Sequence, residues 1–205
     1  YKLNDVVSLS FGQDKVAFGK EEQDSSASLP TLERSLANER ISALGLSDVQ
    51  SHVGASFDFG NGVTAGVTVG DSTATNGGIY ATTIEWSNDT WNFGGGYADA
   101  GANDAFNLFA GYTAGGLNVA AEFFDGSAGA VDFDGYSLRA AYRMGSWEPV
   151  ARYSEFDMGA ASTEETYLGV NYYVAPQATV LLGYTDTETA GVSAEQVSAR
   201  LRLLW

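Results

Sequence analysis

The chain has little of what most catalytic and metal-binding sites need. It contains no cysteine and one histidine, His52, in 205 residues. The absence of cysteine excludes disulfide bonds, thiolate metal sites and cysteine nucleophiles, and one histidine cannot build a site with several histidine ligands. No partner for Ser–His–Asp chemistry is evident around His52. The adjacent acids at 21–22 and 164–165 are interpreted as solvated loop charge. We therefore predict no enzymatic activity and no cofactor.

Basic residues are also scarce, with 10 lysines and arginines against 26 acids and a net charge of −16 at pH 7. A nucleic-acid-binding protein needs a basic face for the phosphates, so this class is excluded. No apolar run approaches the ~18–20 residues that a transmembrane helix requires. Aromatic residues make up 13% of the chain, which argues against disorder.

What the sequence does have is a regular alternation of apolar and polar residues. In residues 52–59, valine, alanine and phenylalanine take every second position, and small or polar residues stand between them. This pattern recurs in eleven segments after residue 50, and a twelfth lies between Val6 and about Phe18. A period of two predicts β-strands with two unlike faces. An even number of strands suits a closed antiparallel barrel.

The predicted connections alternate between short and long. The short ones lie at 60–62, 87–90, 114–116, 145–146 and 175–177, and the long ones cover roughly 20–50, 70–78, 98–104, 125–134, 157–164 and 187–194. Short periplasmic turns and longer extracellular loops are typical of outer-membrane barrels. Aromatic residues recur at strand ends on the apolar face, including Trp147, Tyr172 and the terminal Trp205, as in the girdles that mark the membrane–water boundary.

The alternative is a soluble β-sandwich or a lipocalin-like barrel, which buries its apolar face and turns charge outward. Here the face opposite the apolar one is mainly Gly, Ser, Thr and Asn. We therefore predict an all-β fold: residues 1–205 form one closed antiparallel transmembrane β-barrel of about 12 strands. Its localisation would be the outer membrane of a Gram-negative bacterium, in contact with lipid and lipopolysaccharide. Glycines on the inner face would keep the lumen open or permit close packing of a plug.

Residues 20–50 break the strand pattern. A polar stretch precedes Leu29, Leu32 and Leu36, whose spacing is helical, with Ser28 as a helix N-cap and Pro30 in the first turn. A loop of this length in a compact barrel is usually functional or disordered. One interpretation is a segment folded into the lumen that narrows it, with Glu33, Arg34 and Arg40 as the charged residues of the constriction. The other is an outer cap that packs on neighbouring loops or on another subunit.

Three stretches carry a resemblance to a known family: Val-Ala-Phe-Gly-Lys-Glu at 16–21, Leu-Pro-Thr-Leu-Glu-Arg-Ser-Leu at 29–36 and His-Val-Gly-Ala-Ser at 52–56. They resemble the central part of the phosphate-selective porin O/P family, and the 59–66 hairpin is similar to those of Gram-negative porins. The resemblance implies a homotrimeric outer-membrane channel for small anions or solutes. Family members have about sixteen strands, so the chain looks like a shortened relative or fragment. Family anion selectivity depends on a basic ladder, and with 10 bases in this chain we do not extend phosphate selectivity to it.

Successive side chains of a strand point to opposite faces, and this alternation, here called parity, places five arginines and four acids in the lumen. They are Arg139, Arg143, Arg152, Arg200, Arg202, Asp58, Glu85, Glu122 and Glu148. A lumen position avoids the ~2–4 kcal/mol cost of a basic side chain facing lipid at the bilayer midplane. These charges either form a basic wall opposite acids that ranks solutes by charge, or pair across strands and are screened by water. The remaining acids lie mostly in predicted loops, where solvated charge is the default and bound Ca²⁺ the alternative.

The predicted function is an outer-membrane porin through which small hydrophilic solutes or ions diffuse passively. The alternative is a structural or adhesive barrel with a plugged lumen, whose acidic loops bind a partner.

Overall fold

The computed structural model describes residues 1–72 and 77–204, and within these residues twelve strands form one antiparallel sheet in chain order. The strands are β1 (Val7–Lys15), β2 (Val49–Gly60), β3 (Val63–Ser72), β4 (Gly77–Ser87), β5 (Trp91–Asp99), β6 (Asn103–Ala114), β7 (Leu117–Ala128), β8 (Val131–Tyr142), β9 (Trp147–Met158), β10 (Ala161–Ala175), β11 (Ala178–Thr189) and β12 (Val192–Leu203). Two helices, α1 (Lys20–Gln23) and α2 (Leu36–Ala43), lie between β1 and β2. No helix in the described part of the chain is long and apolar enough to cross a membrane. The predicted all-β fold of twelve antiparallel strands is confirmed.

The apolar face of the strands points outward along the whole sheet. Val53 is 64% exposed, Leu168 54% and Val197 81%. A water-soluble protein rarely exposes so large an apolar surface, whereas an outer-membrane barrel turns such a band toward lipid. The sidedness predicted from the alternation is therefore confirmed.

Aromatic pairs flank the outward apolar band at both ends. Near the turns 143–146 and 176–177, the ring centroids of Trp147 and Tyr172 are 4.5 Å apart. Toward the opposite end, those of Tyr136 and Tyr153 are 5.9 Å apart. Trp205 and the centre of the predicted loop 70–78 lie outside the described residues. Aromatic rings at these heights fit the two interfaces of a bilayer.

The connections differ from the prediction at the end opposite the tight turns. There the links 100–102, 129–130, 159–160 and 190–191 are short because the strands continue further than expected. Asp125 pairs with Asp134 across β7 and β8, and Asp134 with Asp157 across β8 and β9, inside regular ladders. The polar composition of these stretches had indicated loops, but backbone pairing does not require apolar side chains. Residues 16–48, between β1 and β2, remain the one long connection in the described part of the chain.

Residues 16–48, hereafter the inner segment, lie against the inward face of strands from both halves of the sheet. The Ala17 amide donates to the Thr68 hydroxyl of β3 at 3.1 Å, and the Arg200 guanidinium of β12 binds Glu33 at 2.7 Å. The two contacts lie close together, because Arg34, next to Glu33, donates to the carbonyl of Glu21 at 2.6 Å. In a flat sheet, β3 and β12 would be about 40 Å apart, nine strand spacings. The sheet is thus curved into a barrel with the inner segment inside.

The longer helix of the inner segment, α2, begins later in the chain than the spacing of the leucines indicated. α2 starts at Leu36, and Ser35 is its N-cap, accepting from the Asn38 amide at 3.4 Å. Ser28 and Pro30 precede an irregular stretch instead of capping a helix. Leu29 and Leu32 are buried nonetheless, because a coil packed inside the barrel also hides its apolar side chains.

The barrel interior is less polar than predicted. Inward Phe124, Phe133 and Phe156 pack with Phe18 and α2 in one cluster of buried side chains. A second cluster consists of Leu32, Ala141, Val150, Tyr167 and Leu181. The inner segment therefore joins the wall through dry contacts as well as polar ones.

Candidate functional site

Glu122 anchors the start of α1 to the inward face of β7. Its carboxylate accepts from the amides of Lys20 and Glu21. It also accepts from the side-chain amides of Asn38 at 3.1 Å and Asn107 at 2.7 Å. A buried carboxylate needs such donors to offset the loss of water. Predicted as a lumen acid, Glu122 is buried beneath the inner segment.

Arg152 and Arg139 hold the same segment from β9 and β8. The Arg152 guanidinium lies 2.8 Å from the Glu165 carboxylate and 3.8 Å from that of Glu21. It also donates to the Glu33 carbonyl at 2.7 Å. Arg139 lies 3.7 Å from the Glu21 carboxylate. Both arginines point inward as parity predicted, but their charge is neutralised by acids.

Arg200 and Arg202 bind the middle of the inner segment from β12. Arg200 pairs with Glu33 at 2.7 Å, and Arg202 donates to the carbonyls of Ser26 at 3.2 Å and Leu29 at 2.9 Å. These contacts tie the last strand of the sheet to residues 26–33. The two arginines point inward and contact the segment, and Arg200 also borders a cavity of about 440 Å³.

The three predicted constriction residues have different surroundings. The Arg34 guanidinium lies 2.6 Å from the Glu22 carboxylate and donates to the Glu21 carbonyl at 2.6 Å. Both partners lie in the inner segment, so Arg34 stabilises the fold of that segment. Glu33 binds Arg200 and is exposed. Arg40 is exposed on α2. The structure does not bring the three together.

Arg143 and Glu148 lie near the tight-turn end of the barrel. The Arg143 guanidinium stacks on the Tyr173 ring, 3.2 Å from its centroid. Glu148 accepts from the Tyr173 hydroxyl at 2.8 Å and from Asn171 at 2.8 Å. This group belongs to the wall and is separate from the acid–arginine contacts around Glu21.

Asp58 and Glu85 border a cavity of about 600 Å³ between the inner segment and strands β1–β4. The Glu85 carboxylate pairs with Lys20 of the inner segment at 3.1 Å and accepts from Asn92 at 3.3 Å. Asp58 is exposed and accepts from the Gly60 amide at 2.9 Å. The other polar lining residues include Ser10, Gln23, His52, Ser56, Thr64, Thr68 and Thr83.

Three ionisable side chains of the inner segment have pKa values shifted from their ordinary values. Burial raises the pKa of Glu22 despite the nearby Arg34 charge. Burial, followed by repulsion from Glu165, raises the pKa of Glu39. For Lys20, burial alone would lower the pKa, but the charges of Asp24 and Glu85 prevail and raise it. Lys20 therefore stays protonated beside the cavity.

Glu21 and Glu165 were missed as interior residues. The adjacent acids at 21–22 and 164–165 were interpreted as loop charge, yet Glu21 and Glu165 are buried against arginines. Glu165 alternates in phase with the inward Tyr167, and that parity was the available signal. For Glu21 no sequence signal exists, because its position depends on how the inner segment enters the barrel.

Within the described ranges, no three acidic or histidine side chains are arranged to hold a metal ion.

Comparisons with known proteins agree with the geometry. Residues 4–197 match the model of a family described as Gram-negative porin. A comparison with the curated proteins finds no match. Among solved structures, a loop-deletion mutant of OmpT, an outer membrane protein of Vibrio cholerae, is similar with a TM-score of 0.79 at 16% identity, covering 98% of this chain and 76% of that one.

A triple mutant of the Rhodopseudomonas blastica porin is similar with a TM-score of 0.69 at 17% identity, covering 97% of this chain and 73% of that one. At such identities the structural likeness shows the fold, and the family match covers nearly the whole chain. The chain therefore belongs to the Gram-negative porins, the channel-forming β-barrels of the outer membrane.

Proposed function

We propose that this porin lets small hydrophilic solutes and ions diffuse passively, through a lumen whose width is set by the inner segment. The observation that carries the proposal is the cavity of about 600 Å³ beside the inner segment. It lies inside a barrel whose outer face is apolar, and hydroxyl, amide and carboxylate groups border it. Such a lining offers hydrogen bonds to hydrated solutes without binding them tightly.

The selectivity we propose differs from that of the phosphate-selective O/P branch. An anion channel of that kind needs free basic side chains along its path. In this chain Arg139 and Arg152 face acids, and Arg200 and Arg202 bind the inner segment. We therefore propose a channel without phosphate selectivity and without catalytic activity.

We further propose that the protein is a homotrimer embedded in lipid and lipopolysaccharide. The resemblance to porins supports the trimer, and the outward apolar band with its aromatic margins supports the lipid contact. Cross-linking of the detergent-solubilised protein tests the subunit number, and a band at the mass of three chains is expected.

The test of function is conductance in planar bilayers after refolding into detergent. Stepwise conductance increases are expected, and a correctly folded sample without steps contradicts the proposal. Folding is checked by the different gel migration of boiled and unboiled samples.

A plugged barrel is the second candidate. The buried clusters between α2 and β4–β9 favour it, because they fill that side of the interior. Liposome swelling with small sugars separates the two candidates: a channel gives swelling at a rate that falls with sugar size, whereas a plugged barrel gives none.

A further inference from the structure

We propose that ions cross this barrel along the wall formed by β1–β4, and that the Lys20–Glu85 pair, not the arginines of β8 and β9, is the specificity-determining element. The path would favour small cations over anions. This inference rests on the proposed channel function and names the side of the lumen that conducts.

The first step is that the opposite side of the interior is occupied. Glu122 receives four hydrogen bonds from the inner segment and β6. Arg152 is 4% exposed and bound by Glu165 and Glu21. Beneath the inner segment on this side, the cavity near Arg139 measures about 90 Å³. This volume is small against the cavity of about 600 Å³, so the wall on this side leaves little room for hydrated ions. A further cavity of about 440 Å³ lies between the inner segment and Arg200 of β12.

The second step is that the β1–β4 side is open and long enough. The cavity of about 600 Å³ is lined along β2 from His52 to Asp58, which is about 20 Å of extended chain. Strands of outer-membrane barrels are tilted by about 35–45°, so this stretch spans roughly 15 Å along the membrane normal, about half of a bilayer's hydrocarbon thickness of ~30 Å. The inner segment contacts this wall at Ala17. The Ala17 Cβ lies 3.1 Å from the position that a Cβ on Gly66 would occupy.

The third step is the charge of the lining. Besides His52, its ionisable side chains are four acids and two lysines: Asp5, Asp14, Asp58, Glu85, Lys2 and Lys15. Lys2 pairs with Asp5 at 3.0 Å, and the Lys15 ammonium group donates to the carbonyl oxygens of Gln23 and Asp24. Asp58 faces the cavity without an ion pair in the described residues. A surplus of carboxylates in a narrow lumen raises the local concentration of cations.

The fourth step singles out Lys20. Its ammonium group lies 3.1 Å from Glu85 and 3.3 Å from Asp24, at the border between the inner segment and the cavity. Neutralising Lys20 leaves the Glu85 carboxylate without its cation at the path, whereas neutralising Glu85 removes one of the four carboxylates of the lining. The two single substitutions therefore change the lining charge in opposite directions.

The experiment measures the reversal potential of single channels under a KCl gradient for wild type, Lys20→Gln and Glu85→Gln. We expect Lys20→Gln to shift it toward ideal cation selectivity and Glu85→Gln to shift it toward anions. The matched control is Arg139→Gln, which also removes a basic partner from a pair between the inner segment and the wall, but on β8 and outside the lining of the proposed path. It should leave the reversal potential near the wild-type value. Unchanged potentials in both test variants, or an equal shift in the control, overturn the proposal.

A second measurement does not depend on the ion pair. Because the chain has no cysteine, single cysteines can be labelled cleanly. Ser56→Cys lies in the proposed path, and Ser198→Cys lies on the inward face of β12, away from it. Reaction with a positively charged methanethiosulfonate, which a cation-favouring path admits and whose charge then repels cations, should remove most of the conductance of the first variant and little of the second. The reverse order overturns the proposal, whereas a wild-type protein without channel steps would instead contradict the channel function itself.

Discussion

The guanidinium of Arg152 and the carboxylate of Glu165 meet inside the barrel, 2.8 Å apart, on neighbouring strands β9 and β10. Both side chains are buried, and the Glu33 carbonyl of the inner segment completes the arginine's contacts. The pair thus connects the wall to the segment that narrows the lumen.

Replacing one partner of this pair should destabilise the fold more than replacing both partners with apolar residues. Glu165→Gln leaves the Arg152 charge buried with a single acid 3.8 Å away, and loss of one partner of a buried pair costs about 3–5 kcal/mol. The double variant Arg152→Met/Glu165→Leu should regain much of that loss. Urea unfolding of the refolded protein, followed by tryptophan fluorescence, measures the difference. A double variant less stable than either single one would contradict this account.

Loss of the Glu122 anchor should widen the channel. Glu122→Ala removes the acceptor of four hydrogen bonds that fix α1 and α2 to β7 and β6, so the inner segment gains freedom to leave the wall. Single-channel conductance is expected to rise and to become noisier. Glu164→Ala, which removes an outward acid bound to Tyr153, is the control and should conduct like the wild type. Equal conductance in both variants would mean that Glu122 does not hold the constriction.

Glu39 should make the barrel less stable as the pH rises. Burial and the charge of Glu165 raise its pKa above the ordinary value of 4.5. Between the unfolded and folded pKa values the folded state binds more protons, so the free energy of unfolding falls as the pH rises through this window. Because Glu39 is exposed on α2 and its charge is partly screened by water, Glu39→Gln should raise the thermal midpoint at pH 7 only slightly. Below pH 4 the two proteins should melt alike, and a stabilisation that persists there would point to another cause.

The small residues around Tyr167 should tolerate no added volume. A Cβ on Gly183 would lie 2.6 Å from the Tyr167 ring and 2.7 Å from Leu32. Gly183→Ala is expected to lower stability by about 1–3 kcal/mol, the usual cost of overpacking. Gly78→Ala is the matched control, because the atom nearest its Cβ, 3.6 Å away, is at ordinary contact distance. A Gly183→Ala protein as stable as this control would show that Tyr167 can move aside.

The outside of the barrel could be predicted from sequence, and most of its inside could not. Every second residue of a strand faces lipid, so Val53, Leu168 and Val197 reveal their side by spacing alone. The inward positions carry no comparable rule. Phe124 and Phe156 interrupt a mostly polar face because α2 packs on them, and that contact follows from the path of a distant segment.

The contacts of the charged side chains could likewise be predicted only in part from the sequence. Parity placed Arg139 and Arg152 in the lumen, but their acidic partner Glu21 lies more than a hundred residues away in the chain. Only the course of the inner segment decides whether an inward arginine meets water or a carboxylate. The predicted basic wall therefore became a set of contacts that hold the segment in place.

The contacts of Arg200 and Arg202 with residues 26–33 have a consequence for the assembly of the barrel. These arginines lie on β12, whereas the residues they hold precede β2, so the contacts join parts of the chain that are 167 and 173 residues apart for the Arg200–Glu33 and Arg202–Leu29 contacts. The inner segment is consequently fixed only once β12 has joined the sheet, so a sheet that lacks this strand cannot yet possess the finished aperture.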